Sequence, residues 1–459
     1  MRVPATALLT VALTVGASGA PATASPPDWH VTGVRPIGQP IAVGGVAVGY
    51  LTRDRRLYAR AMRPADGTTI WEREITPSRQ TAGMAIVPAR VGDGVALLEP
   101  RPDSGPNWAS LTVVEAATGR VVRSSPPAIF RTTAYGCHDD SSACAMSVPH
   151  QGGTRREYRL DLATGAFTPH GAEVPRARSI GEAGLTDLGD RPNERIALIR
   201  DGAVRWQRPV ADAFPTGFST DNGWTWWYAE QAGVYAGSVF GPARRTANTV
   251  DLELHTQTAS AGLDEQTGAV LWRDAGSMTS CAYSIALRDE AVRCRVRGTA
   301  HFVVSPPSES FTDLDVVLEG FDPRTGATRW TLPAGAAEAL VSFSQPAAVA
   351  GEHTIVAGLP AGDREIDLRD GTVTEPAADA RYWCLSRARF DFHEGYTAGD
   401  GPERFDRTGD NLATVCTADG GPADSGRPSP GASQAIGAVV NGYAVVATAD
   451  GYHGVTLTG

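Results

Sequence analysis

The chain has 459 residues, 42% hydrophobic and 20% charged, and its 41 Lys+Arg against 51 Asp+Glu leave a net charge of −10. Nucleic-acid binding leaves a basic footprint, and neither this balance nor any run of residues carries one. All of the cations are Arg and no Lys occurs, which reads as the codon bias of a GC-rich bacterial genome.

In chain order, residues 1–24 read as a secretory signal. Arg2 is a minimal charged start, Ala5 to Ala17 form a short apolar run, and Ala22-Thr23-Ala24 is a small-residue cleavage site before Ser25. Retention as an uncleaved anchor is the alternative, although the run is short for a membrane span. Residues 25–459 remain, more than one core accommodates unless the fold is a repeat array. Strands are expected at Pro40–Val43, Gly45–Val48, Arg56–Ala59 and Thr69–Trp71, then at Val95–Leu98, Ser110–Val114, Tyr158–Leu160 and Ile196–Ile199. No segment shows a helical period.

The strands share a turn. Gly67, Gly119, Gly165, Gly202, Gly268, Gly326 and Gly371 each follow Thr or Asp between apolar runs, which is hairpin chemistry because glycine accepts positive φ. Four residues beyond the glycine stand Trp71, Arg123, Pro169, Trp206, Trp272, Trp330 and Glu375. An acidic residue stands four before it at Glu115, Asp161, Asp264, Asp322 and Asp367, whereas Arg63 and Leu198 fill the other two places. The glycines recur 37 to 66 residues apart, and strand-only repeats near that period predict propeller blades. A four-stranded blade must pack against its neighbours, so Trp71, Trp206, Trp272 and Trp330 are read as structural docking residues.

The C-terminal hairpin at 438–447 is followed by Gly454–Gly459, which ends at Thr458-Gly459 where earlier blades begin their last strand. Asp28-Trp29-His30-Val31 is available to supply it. The expected fold is therefore all-β, a propeller of four-stranded antiparallel blades closed by the N-terminal strand. Eight blades are expected, with seven as the alternative.

The stretches Gly262–Trp272 and Gly320–Trp330 carry the pattern Ala-x-Asp-x-x-Thr-Gly-x-x-x-Trp with Gly for the first Ala, and Ala61–Trp71 keeps the Ala but has Arg63 and Asp66 in place of Asp and Thr. This resembles the tryptophan-docking motif of the PQQ-like β-propellers, the quinoprotein alcohol dehydrogenase-like superfamily. The resemblance implies a single propeller domain over 25–459. It implies no one activity, because the family holds both enzymes and non-catalytic scaffolds.

Six cysteines with no Cys-x-x-Cys pair fit an exported, disulfide-bonded chain. Consecutive pairing centres each bridge on a turn sequence. Cys137–Cys144 straddles Asp140-Ser141, Cys281–Cys294 straddles Arg288-Asp289-Glu290, and Cys384–Cys416 straddles Gly399-Asp400-Gly401-Pro402. The last pair defines an insertion at about 382–431, an extended hairpin followed by a Gly/Pro/Ser-rich segment, Gly420–Gly431, read as a flexible loop. Function in propellers often resides in grafted loops.

In the catalytic branch, the resemblance would imply PQQ over calcium, an adjacent Cys-Cys disulfide and an Asp base. No two cysteines are adjacent and no calcium set is assignable, so no cofactor, metal or catalytic residue is expected. No Gly-x-Ser-x-Gly or His-Glu-x-x-His occurs, and His138-Asp139-Asp140 and His393-Glu394 read as exposed acidic turns. Trp224 and Trp226, with Trp227 on the opposite face by strand alternation, form the best ligand platform, with Trp383 second. Between blades the same rings would simply be core. The expectation is a secreted, non-enzymatic propeller, monomeric, that binds a protein or a cell-envelope polysaccharide. The alternatives are a quinone- or calcium-dependent dehydrogenase and a carbohydrate-binding module.

Overall fold

The computed structural model describes residues 28–54, 56–78, 88–137, 141–148, 156–170, 177–179, 185–188, 193–200, 203–279, 281, 290–303, 308–342, 347–385, 412–423 and 426–457. The signal segment, His138 to Asp140, Gly202, residues 386–411 with His393-Glu394, and Thr458-Gly459 lie outside them.

The described residues are dominated by antiparallel meanders. Ile41–Val43, Val46–Arg53, Arg56–Met62 and Thr69–Ile75 form the first, and Ala89–Val91, Gly94–Pro100, Ala109–Glu115 and Val121–Ser124 the second. The pattern repeats along the chain. Around Val292–Val303 and Ser308–Phe321 the meander is extended by an added hairpin, Arg244–Arg245 with Thr249–Glu253. The inner strands are buried on both faces, whereas outer strands such as Thr69–Ile75 and Val121–Ser124 are largely exposed. Val46–Thr52, for example, is buried at seven successive positions.

The helices are short: Val210–Ala213, Leu254–Gln257, Glu338–Val341 and Pro430–Ile436. One or two turns are too few residues to leave a period in the sequence, so they were not expected. No helix among the described residues is long and apolar enough to cross a membrane.

Each turn glycine does one conformational task. Gly268 and Gly326 hold φ of 67° and 71°, and their amides donate to Asp264 O and Asp322 O at 2.8 Å. The acidic side chain completes the turn: Asp264 Oδ1 accepts from Gln266 N at 3.1 Å and from Thr267 N at 2.9 Å. This explains the Asp-x-x-Thr-Gly spacing, since the carboxylate reaches amides two and three residues on and the glycine takes the left-handed place.

The bare face of that glycine receives a ring from the preceding sheet. Trp71 packs on Gly119, Trp206 on Gly268, Trp272 on Gly326 and Trp330 on Gly371. Each indole N–H donates to a carbonyl of the same turn: Trp71 to Ala116 O at 2.7 Å, Trp206 to Glu265 O at 2.7 Å and Trp272 to Pro323 O at 2.8 Å. Where the repeat has Arg123, its methylenes lie over Gly165 and its guanidinium donates to Ala163 O at 2.9 Å. Arginine thus supplies the same two things, an apolar lid and a donor.

The first described strand pairs with the last. Trp29–Thr32 pairs antiparallel with Gly451–Thr456, in the register Trp29↔Gly454, His30↔His453 and Val31↔Tyr452. Trp29 packs on Gly67 and donates to Pro64 O at 2.7 Å, so it treats the first meander as Trp71 treats the second. Gln39 brackets the Ala447 peptide, donating to its O at 2.9 Å and accepting from its N at 2.8 Å. Tyr452, fully buried, donates its hydroxyl to Tyr50 O at 2.8 Å.

The three bridges Cys137–Cys144, Cys281–Cys294 and Cys384–Cys416 are present, with Cα separations of 5.3, 5.6 and 5.8 Å. None of the three is a directly opposed cross-strand pair: Cys144 lies opposite Tyr135, Cys294 opposite Met278 and Cys416 opposite Tyr382. One expectation is corrected. Gly420–Gly431 is not simply a flexible loop: Thr417 N donates to Gly421 O at 2.9 Å, Arg427 pairs with Asp28 at 2.7 Å, and Ser429 caps the helix Pro430–Ile436 through Ala432 N at 3.0 Å. Turn-rich composition marks a bend, and here the bend is fastened.

Candidate functional site

The least repetitive part of the fold is Tyr382–Leu385 paired with Ala413–Cys416. This hairpin is tied by Cys384–Cys416 and inserted between two meanders. Its first strand adds to Ala347–Gly351 of one meander, and its second touches Tyr443–Thr448 of the next through the parallel bridge Ala413↔Thr448. Trp383 anchors it. The ring is 1% exposed and its indole donates to Ser433 Oγ of the helix Pro430–Ile436 at 2.8 Å.

Beside the hairpin lies a cleft of about 370 Å³ lined by Ala350, Thr354, Glu365, Asp379, Ala380, Arg381, Tyr382, Arg427 and Ser429. Tyr382 donates its hydroxyl to Glu365 Oε1 at 2.7 Å. Burial first, and then this carboxylate, push its phenol up and away from ionisation. Ser429 Oγ donates to Ala350 O at 2.8 Å and accepts from Ala432 N, so its hydroxyl is likewise committed. Arg427 Nη2 donates to Asp28 Oδ1 at 2.9 Å and to Thr456 O at 3.0 Å. Arg381 lies along Gly426, where a Cβ would come within 2.6 Å of its side chain. Two acids and two arginines around a tyrosine make a surface for charge and hydrogen-bond recognition.

The expected aromatic platform is corrected in part. Trp226 is 7% exposed, lies against Gly237 and meets Phe214 edge-on at 5.9 Å, and Trp383 is buried as described. Neither offers an open ring face, because each fills the space between sheets. Trp224 is half-buried against the same cluster as Trp226, whereas Trp227 faces Phe321 across the other side at 6.4 Å. The alternation is therefore as the strand period requires. Tyr382 belongs to the second aromatic candidate, Tyr382-Trp383, whereas Glu365, Arg381 and Arg427 carried no sequence signal.

The three disulfides lie in three separate sheets and none joins adjacent cysteines. One cluster of cation-ligating groups does occur among the described residues, His30, Asp450 and His453, at the meeting of the chain ends.

No protein-family profile matches the chain, and no curated protein matches it. Among solved structures it is similar to BamB from Moraxella catarrhalis, at 14% identity over 78% of this chain and 97% of that one, with a TM-score of 0.37. It is also similar to the dihydro-heme d1 dehydrogenase NirN, at 10% identity over 74% of this chain and 66% of that one, with a TM-score of 0.38. A europium-containing methanol dehydrogenase gives 8% identity over 78% and 84%, with a TM-score of 0.34. Likenesses this distant say nothing of activity.

Proposed function

We propose that this chain is an extracytoplasmic, non-enzymatic β-propeller of eight four-stranded blades that holds a protein partner at the face carrying the disulfide-tied hairpin. The hairpin carries the reading. A blade needs four strands, and the pair Tyr382–Leu385 and Ala413–Cys416 is surplus to that, covalently tied, and wedged between two blades beside a two-sign polar cleft. Rigid scaffolds place recognition on such grafts. Eight blades follow if the ten-stranded sheet is taken as two blades joined by this hairpin, with Trp29–Thr32 completing the last. The added strand covers the edge that Gly451–Thr456 would otherwise leave. Three disulfides in a chain of this size support an oxidising compartment.

A photo-crosslinking residue in place of Asp379, in the mature protein presented to native cell envelopes, tests this. A discrete cross-linked protein is expected, weakened by Arg381→Glu and absent when the crosslinker replaces the exposed Val121. The same product from both positions refutes the assignment of the face. Stabilisation by PQQ with calcium would instead favour a quinoprotein, and selective glycan-array binding a carbohydrate module.

A further inference from the structure

Three side chains that the proposed function does not use meet where the N-terminal strand joins the last hairpin. Along Trp29–Thr32 the side chains alternate. Trp29 and Val31 face Gly67, and His30 takes the other side, directly opposite His453 on the neighbouring strand. The two imidazoles stack with centroids 3.7 Å apart and planes 23° from parallel. Asp450 completes the group from the tight turn before the strand, with Oδ2 at 3.4 Å from His30 Nε2 and Oδ1 at 3.8 Å from His453 Nε2. One ligand atom from each lies within 4.8 Å of the other two.

We propose that His30, Asp450 and His453 bind a divalent d-block cation, zinc in the first instance, which clasps the N-terminal strand to the C-terminal hairpin. Two imidazoles and one carboxylate are a borderline donor set of the kind zinc takes, with the fourth position left to water. Bonds of about 2.0–2.2 Å around a tetrahedral centre put ligand atoms about 3.4 Å apart. The observed 3.4 and 3.8 Å between the imidazole nitrogens and the carboxylate are already near that spacing. Coordination requires each ring plane to contain the ion, so binding splays the stacked rings. Both histidines retain solvent-facing freedom for this, at 32% and 28% side-chain exposure.

The surroundings hold the ligands ready. Thr448 donates its hydroxyl to Asp450 Oδ1 at 2.6 Å, orienting the carboxylate as outer-shell partners do in metal sites. Trp383 closes one side of His453 edge-on at 6.0 Å. An ion held by His30 on one strand and by Asp450 and His453 of the C-terminal hairpin binds only the joined form. It therefore stabilises that form by mass action.

The test uses the untagged mature protein, stripped with chelator and titrated with Zn²⁺, and with Co²⁺ for its visible d–d bands. One equivalent is expected to bind with tetrahedral Co²⁺ absorption, to raise the melting temperature, and to slow amide exchange in Trp29–Thr32. His30→Gln and Asp450→Asn change partly exposed side chains and should fold. Each is expected to weaken binding by more than tenfold, because losing a direct ligand exceeds the roughly 10–100-fold cost of losing a group that only orients one. Absence of binding overturns the proposal. So does binding of unchanged affinity in both variants, which would place the ion on other histidines.

Discussion

Trp29→Ala is the sharpest perturbation of the joint between the chain ends. The indole is half-buried, lies on Gly67 and Gly454, and donates to Pro64 O at 2.7 Å. Truncating a fully buried Trp costs about 3–5 kcal/mol, and a lost hydrogen bond about 1 kcal/mol of that kind of total. Partial exposure of the ring reduces the sum to about 2–4 kcal/mol. With an unfolding entropy of about 2.1 cal/mol/K per residue, a chain of 459 residues gives a melting shift of about 2–4 °C. The reference is Trp71→Ala, where the same contact is 9% exposed and the loss should reach the upper end. Calorimetry measures both, and hydrogen exchange shows where each acts. For Trp29→Ala, exchange should quicken in Tyr443–Thr448, in Gly451–Thr456 and in the first meander. If Trp29→Ala melts with the parent while Trp71→Ala does not, and exchange at the joint is unchanged, the N-terminal strand is not holding the ends together. Deletion of 420–431 is no neutral control, since Arg427 and Ser429 are fastened there.

Replacing Gly326 by Ala should destabilise more than an ordinary surface change, because φ is 71° and a Cβ would lie 2.7 Å from the Trp272 ring; melting temperature and Trp fluorescence report it. Removing Cys384–Cys416, which spans 32 residues, should cost about 3.7 kcal/mol, against about 2.4 kcal/mol for Cys137–Cys144, which spans 7. Denaturant midpoints of the two Cys→Ser pairs check the order, and equal losses would contradict loop closure as the cause. Burial alone would raise the Glu319 carboxyl, but Arg293 and Arg295 hold it below its ordinary value, and the turn carboxylates Asp161 and Asp322 are held down chiefly by backbone amides. Depressed carboxyl groups stabilise the fold above their unfolded value of about 4 and lose that contribution as pH falls through the folded value. The melting temperature should therefore hold from pH 7 to 5 and drop below about pH 4. Glu319→Gln should flatten part of that drop.

The local grammar of this protein was legible in its residues. Asp-x-x-Thr-Gly specifies a turn by contacts confined to five residues, so it needs no partner to be recognised, and strand alternation ordered Trp224, Trp226 and Trp227 correctly on their two faces. The three disulfide partners could also be read, because each pair is consecutive along the chain and flanks a turn sequence. Tertiary structure decided what depends on distant segments. Trp226 and Trp383 are core rings because other sheets cover them, which composition cannot reveal. Gly420–Gly431 is fastened because Asp28 and Ala350, from distant parts of the chain, receive Arg427 and Ser429. His30 and His453 are 423 positions apart and become neighbours only when the two ends pair, so no spacing rule could bring them together.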